Sequence, residues 1–157
     1  MEWTKDNYCI STDKNKINLA YVHAFLSQSY WAQHIPVDVV RRSIDGSLCF
    51  ALFYQGEQIG FARVITDEAT FAYLADVFVD ERYRGRGLSK WLMEIILQYP
   101  SLQGLRRFLL ATRDAHGLYR QFGFAPLTFT DRWMQIHQPD VYSNPAFKVF
   151  PTPPVKG

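Results

Sequence analysis

Val77-Phe78-Val79-Asp80-Glu81-Arg82-Tyr83-Arg84-Gly85-Arg86-Gly87-Leu88-Ser89-Lys90 orders the rest of the chain. It opens in Thr70 to Val79, an apolar run that reads as a strand with Asp76 its only charge. It closes on Leu88, Leu92, Ile95, Ile96 and Tyr99, which share one helical face and stop at Pro100. Between strand and helix lies a basic, Gly-rich loop. Free amides at a helix N-terminus attract anions, and glycine lets a phosphate approach the backbone. Arg82, Arg84, Arg86 and Lys90 add positive charge there. A phosphate or pyrophosphate suits this arrangement; a plain surface turn is the competing reading. Two nucleotide motifs fail. A Walker loop needs Gly-Lys-Ser/Thr, but Ser89 precedes Lys90 and Trp91 follows it. The dinucleotide fingerprint needs a third Gly where Lys90 stands.

Working outward, Tyr8 to Thr12 reads as a strand, and Ile17 to Gln28 as a helix with a broad apolar face. A second helix starts near Pro36 and stops at Gly46. Leu48 to Tyr54 and Gln58 to Thr66 form a hairpin around Gln55-Gly56-Glu57. After the Gly-rich loop and its helix, Arg107 to Ala111 is a strand. Asp114 is placed to cap a short helix from Ala115 to Phe122, with Gly123 at its end. Phe124 to Phe129 and Trp133 to His137 complete the strands. The expected fold is α/β of the α+β type: a mixed, mostly antiparallel sheet of about seven strands, with about four helices and one local parallel crossover. Residues 1–150 read as a single domain, and 151–157 as a Pro-rich tail.

Composition narrows the classes of function. The 157 residues are 48% hydrophobic, 20% charged and 16% aromatic, a globular profile with spare aromatics for a core or a pocket wall. Seventeen basic and 15 acidic residues leave a net charge of +2, which argues against a nucleic-acid partner. No apolar run reaches the ~18 residues of a membrane span, and the first residues lack an apolar signal region. Cys9 and Cys49 form no metal or disulfide pattern, so both read as buried thiols in a reducing cytoplasm, with no metal site.

Val77 to Lys90 resembles the acyl-CoA-binding motif of the GNAT (Gcn5-related) N-acetyltransferases, Gln/Arg-x-x-Gly-x-Gly/Ala at a strand-to-helix turn. Arg82-x-x-Gly85-x-Gly87 and Arg84-x-x-Gly87-x-Ser89 both fit. The second is preferred, because it starts the helix at Leu88 and sets Tyr83 ahead of the motif; its last position is Ser rather than Gly or Ala. Thr112 to Phe124 resembles the family's second motif, with Leu118-Tyr119 and Gly123-Phe124 in its Leu-Tyr-x-x-x-Gly-Phe pattern. Thr112 stands where the family often has Asn. The resemblance runs from about Ile10 to His137.

The resemblance implies acetyl transfer from acetyl-CoA, as cosubstrate, to a primary amine of a small molecule or protein. The alternative is a non-catalytic acyl-CoA-binding regulatory module on the same fold. It implies a splayed parallel strand pair at the acyl-CoA site, with Val77, Phe78, Val79, Arg84, Gly85, Arg86, Gly87, Leu88, Ser89, Lys90, Thr112 and Tyr119 on the cofactor. Tyr119 takes the family's position for protonating the leaving thiolate, and the backbone amide of Phe78 or Val79 that of the donor to the thioester oxygen. Tyr30 and Trp31 lie in the loop that walls the family's acceptor site, unless they plug the core instead; Tyr73 joins them as an acceptor contact. Asp76 is a candidate base or water-orienting group, or else a partner for Arg63. A homodimer is one assembly this reading allows.

Overall fold

The computed structural model describes residues 1–144 and 150; the Pro-rich tail at 151–157 lies outside the described residues. Its centre is a six-stranded sheet in sequence order: β1 (Glu2–Lys5), β2 (Tyr8–Ser11), β3 (Leu48–Tyr54), β4 (Glu57–Thr66), β5 (Phe71–Val79) and β6 (Arg107–Leu110). Neighbours are antiparallel except β5 and β6, which are parallel. The parallel pair needs a crossover, and α3 (Leu88–Gln98) provides it. Helices α1 (Leu19–Leu26) and α2 (Val37–Asp45) precede β3, and the short α4 (His116–Arg120) follows β6.

Each face of the sheet has its own core. Leu88, Leu92, Met93 and Ile96 of α3 pack with Phe50, Leu52, Val64, Ala72 and Leu74. On the other face Val22 and Leu26 of α1 and Val40 and Ile44 of α2 pack with Cys49, Phe61 and Phe78. The apolar runs of β3 and β5 follow from this burial on both sides. Among the described residues no helix is long and apolar enough to cross a membrane.

The strand set differs from expectation at both ends. Glu2–Lys5 adds a strand, hairpinned to β2 through Asp6-Asn7, with Asp6 at φ 52°. Phe124 to Phe129 and Trp133 to His137 form no strand, so the count among the described residues is six rather than about seven. The reasons are local. Pro126 has no N–H to give a ladder, and Phe129 sits in the left-handed region at φ 52°. Side-chain packing takes over, with Phe124 edge-on to Phe108 and the Arg107 guanidinium 4.6 Å from the Trp133 ring centroid. Asp114 does not cap α4. Thr112 Oγ1 instead accepts from the Ala115 amide at 3.0 Å, and α4 is shorter than the expected Ala115 to Phe122.

One close approach demands glycine. A Cβ on Gly60 would lie 2.8 Å from the Phe78 carbonyl oxygen and 3.3 Å from Leu52 Cβ, whereas Gly117 in α4 faces open space. Gly60→Ala should therefore cost about 2 kcal/mol by overpacking. Gly117→Ala should stabilise by up to about 1 kcal/mol through helix propensity. Urea unfolding of the two variants checks both signs.

Candidate active site

The site begins with one extra residue in β5. Arg63 pairs with Ala75 and Phe61 with Phe78, so Ala62 alone opposes Asp76 and Val77. Asp76 carries the bulge in a left-handed conformation, φ 54°, a region that Asp tolerates better than most residues. Simple alternation would set Leu74, Asp76 and Phe78 on one face. The bulge reverses that order: Leu74 joins the α3 core, and Phe78 joins the α1–α2 core, stacked on Phe25 at 3.7 Å.

Asp76 is ion-paired, the other of the two roles the sequence allows it. Its Oδ2 accepts from Arg63 Nε at 2.8 Å, with side-chain exposures of 9% and 15%. Arg63 Nη1 donates to Ser47 Oγ at 3.1 Å, and Trp31 Nε1 donates to Asp76 Oδ1 at 3.0 Å. The carboxylate thus holds the loop after α1 against the sheet.

The ladder between β5 and β6 ends at Leu74 and Leu110, just before the bulge. Beyond it the strands part around a cavity of about 670 Å³. Tyr30, Trp31, Tyr73, Asp76, Val77, Thr112 and Tyr119 all line it, so residues from four stretches of sequence meet there. Arg63, Arg113 and Tyr142 also line it, and of these the sequence had suggested only Arg63 as a partner for Asp76. Tyr142 belongs to no motif, and Arg113 lies inside the Thr112 to Phe124 block at a position that its pattern does not specify. A second cavity, of about 690 Å³, lies along β6 and the 122–128 segment; His116 and Tyr119 line it too.

Tyr119 is 9% exposed, and its ring meets Phe124 edge-on. Burial raises its phenol above the ordinary value, and Tyr30 pushes the same way. The hydroxyl therefore keeps its proton through the neutral range. Both cysteines are free thiols; burial pushes Cys49 up to about 11 and raises Cys9, so neither is an activated nucleophile.

Backbone direction sorts the amides of β5. Asp80 N–H donates to the Ile59 carbonyl on β4, while the Val79 carbonyl turns the other way and accepts from Arg84 Nε at 3.3 Å. By alternation the Phe78 amide points to β4, and the Val79 amide points away from it. A 3-10 turn, Glu81–Tyr83, leads from β5 to the loop. Gly85 and Gly87 have φ of 77° and 74°, with nothing within 4 Å of a notional Cβ. Gly87 is the N-cap of α3, as the register on Arg84 expects. Trp91 N–H donates to the Gly87 carbonyl at 3.0 Å, so the amides of Leu88 to Lys90 lie open at the helix N-terminus. Arg82 is held by Asp80 and Glu57, and Arg86 donates to Tyr8 Oη at 3.0 Å. Open amides beneath open space fit a bound pyrophosphate.

Comparison with known proteins agrees with this geometry. Residues 16–124 match the model of the acetyltransferase (GNAT) family. A Gibberella zeae protein that bears the name of an acetyltransferase is 31% identical over an alignment of 140 residues, covering 74% of this chain and 78% of that protein. The crystal structure of a Xanthomonas campestris pv. campestris protein described as belonging to the GNAT family is 50% identical. It superposes with a TM-score of 0.86 over 90% of this chain and 100% of that one. An Elizabethkingia anophelis GNAT acetyltransferase crystallised with acetyl-CoA bound has the same fold, with a TM-score of 0.61 at 15% identity over 85% of this chain and 90% of that one. The chain belongs to the GNAT acetyltransferase family, and with it to the acyltransferases.

Asp76→Asn keeps a residue that tolerates the left-handed bulge but leaves Arg63 without its counter-charge. It should cost about 3 kcal/mol in urea unfolding. Arg63→Met combined with Asp76→Asn should recover part of that loss, because the stranded charge is gone. Equal stability of Asp76→Asn and wild type would show that the pair holds nothing.

Proposed function

We propose that this protein transfers an acetyl group from acetyl-CoA directly to a primary amine bound in the cleft between β5 and β6. The observation that carries the reading is the pairing of that cleft, with Tyr119 among its lining residues, to the open amides that start α3 just beyond the same strand. Acetyl-CoA supplies an acyl group on a thioester, whose sulfur can leave.

Each remaining task falls to residues of the chain. The amides of Gly85 to Ser89 receive the pyrophosphate, with Arg84 and Lys90 beside it. The Val79 amide, pointing away from β4, donates to the thioester oxygen as charge builds on it. Trp31 and Tyr30 wall the acceptor. A lysine-like amine costs ~4.6 kcal/mol to hold neutral at pH 7. Asp76, tied to Arg63 and Trp31, is ill placed to pull that proton away unaided, so water takes it. As the carbon–nitrogen bond forms and the carbon–sulfur bond breaks, the nitrogen gives up its surplus proton to water, and Tyr119 Oη gives its proton to the sulfur and regains one from solvent.

Acetyl-CoA should raise the melting temperature, because it binds the folded state, and NAD and ATP should not. Gly87→Glu should abolish the shift by placing an anion where the pyrophosphate sits. A shift that survives this change would rule out the loop as the phosphate site.

Tyr119→Phe should leave the acetyl-CoA shift nearly intact and lower turnover ~10²-fold or more. Since burial raises the Tyr119 pKa, turnover in wild type should climb with pH as the acceptor amine loses its proton. It should fall only above the ordinary tyrosine range. A fall near neutrality, or Tyr119→Phe turnover within about threefold of wild type, would remove Tyr119 as the acid. Cys9→Ala and Cys49→Ala should keep turnover, as direct transfer requires.

A further inference from the structure

The charges that line the cleft also bear on the acceptor, and this inference rests on the reading that the cleft takes an amine. They come as two pairs, Arg63–Asp76 and Arg113–Asp114. The first is closed. Both Asp76 oxygens already accept hydrogen bonds, and its charge is balanced by Arg63 at 2.8 Å. It is spoken for before any ammonium arrives.

The second pair is open. Arg113 and Asp114 lie 3.7 Å apart with side chains 65% and 69% exposed, the kind of surface pair that holds little. Arg113 has a firmer partner in Tyr30. Its guanidinium carbon sits 3.9 Å from the Tyr30 ring centroid, and its backbone N–H donates to Tyr30 Oη at 3.3 Å. A guanidinium laid on an aromatic face keeps its N–H edge free for a carboxylate. The anchored charge at the rim is therefore positive. The walls behind it are aromatic: Tyr30, Trp31, Tyr73 and Tyr142. At about 670 Å³ the cavity is the size of a small-molecule site.

We infer that the acceptor is a small monoamine with an apolar or aromatic body and a carboxylate at the far end, which Arg113 receives while the amine points into the cleft. A second ammonium in place of the carboxylate would meet Arg113, so di- and polyamines are selected against.

Three para-substituted benzylamines share one ring and one reacting amine: 4-(aminomethyl)benzoate, benzylamine and 1,4-bis(aminomethyl)benzene. Thiol release from acetyl-CoA should give kcat/KM in that order, with about tenfold or more between the first and last. Arg113→Gln should bring the ratio of the carboxylate to the diamine toward one, and Arg113→Lys should recover part of it. Both variants are at an exposed position, and their melting temperatures confirm folding. Preference for the diamine, or an unchanged ratio in Arg113→Gln, overturns the inference. Turnover of none of the three amines, with the acetyl-CoA shift intact, overturns the acceptor assignment and leaves the cofactor reading standing. Loss of that shift as well removes both.

Discussion

Asp76 is one residue more than β5 needs to pair with β4, and much of the molecule is arranged around that surplus. A strand that alternates strictly would place Leu74 and Phe78 in the same core; the bulge sends them to opposite cores. It also turns a carboxylate inward, which would be costly without a partner. Arg63 balances the charge, Ser47 takes an arginine N–H, and Trp31 takes the second carboxylate oxygen. The ion pair thus has a mechanical consequence. It pins the loop after α1 to the sheet where β5 and β6 cease to pair, and so closes one side of the cleft.

The two halves of the site are built by different means. The loop from Arg84 to Lys90 uses backbone: two glycines at positive φ, open amides and the start of an eleven-residue helix. Such a site is written in consecutive residues and changes little with the side chains around it. The cleft uses side chains that come from the loop after α1, from β5, from the turn after β6 and from Tyr142. Trp31, Asp76 and Arg63 among them are tied together by hydrogen bonds.

Reading the sequence located the elements that repeat a period. The helix of α3, the hairpin of β3 and β4, and the long strand β5 lie where their apolar patterns place them, since burial on one or both faces dictates those patterns. Errors gathered where no neighbour was visible. Glu2–Lys5 is too short to show a period, and only Asp6-Asn7 marks its hairpin. Phe124 to His137 has the composition of strands, but Pro126 and the left-handed Phe129 stop a ladder from forming.

The chain alone determined the crossover, the Gly-rich loop that leads into α3 and the Leu-Tyr-x-x-x-Gly-Phe block, because each depends on residues close in sequence. It also singled out Asp76 as a charge in need of a purpose. Only the tertiary structure supplied its partners, since Arg63, Trp31 and Ser47 approach from three other segments. The same holds for the directions in which the Val79 and Phe78 amides point, and for Arg113 on Tyr30. A bulge changes the facing of every residue beyond it, and a cleft between parting strands exists only once both strands are paired below it. Neither is a property of any one stretch of chain.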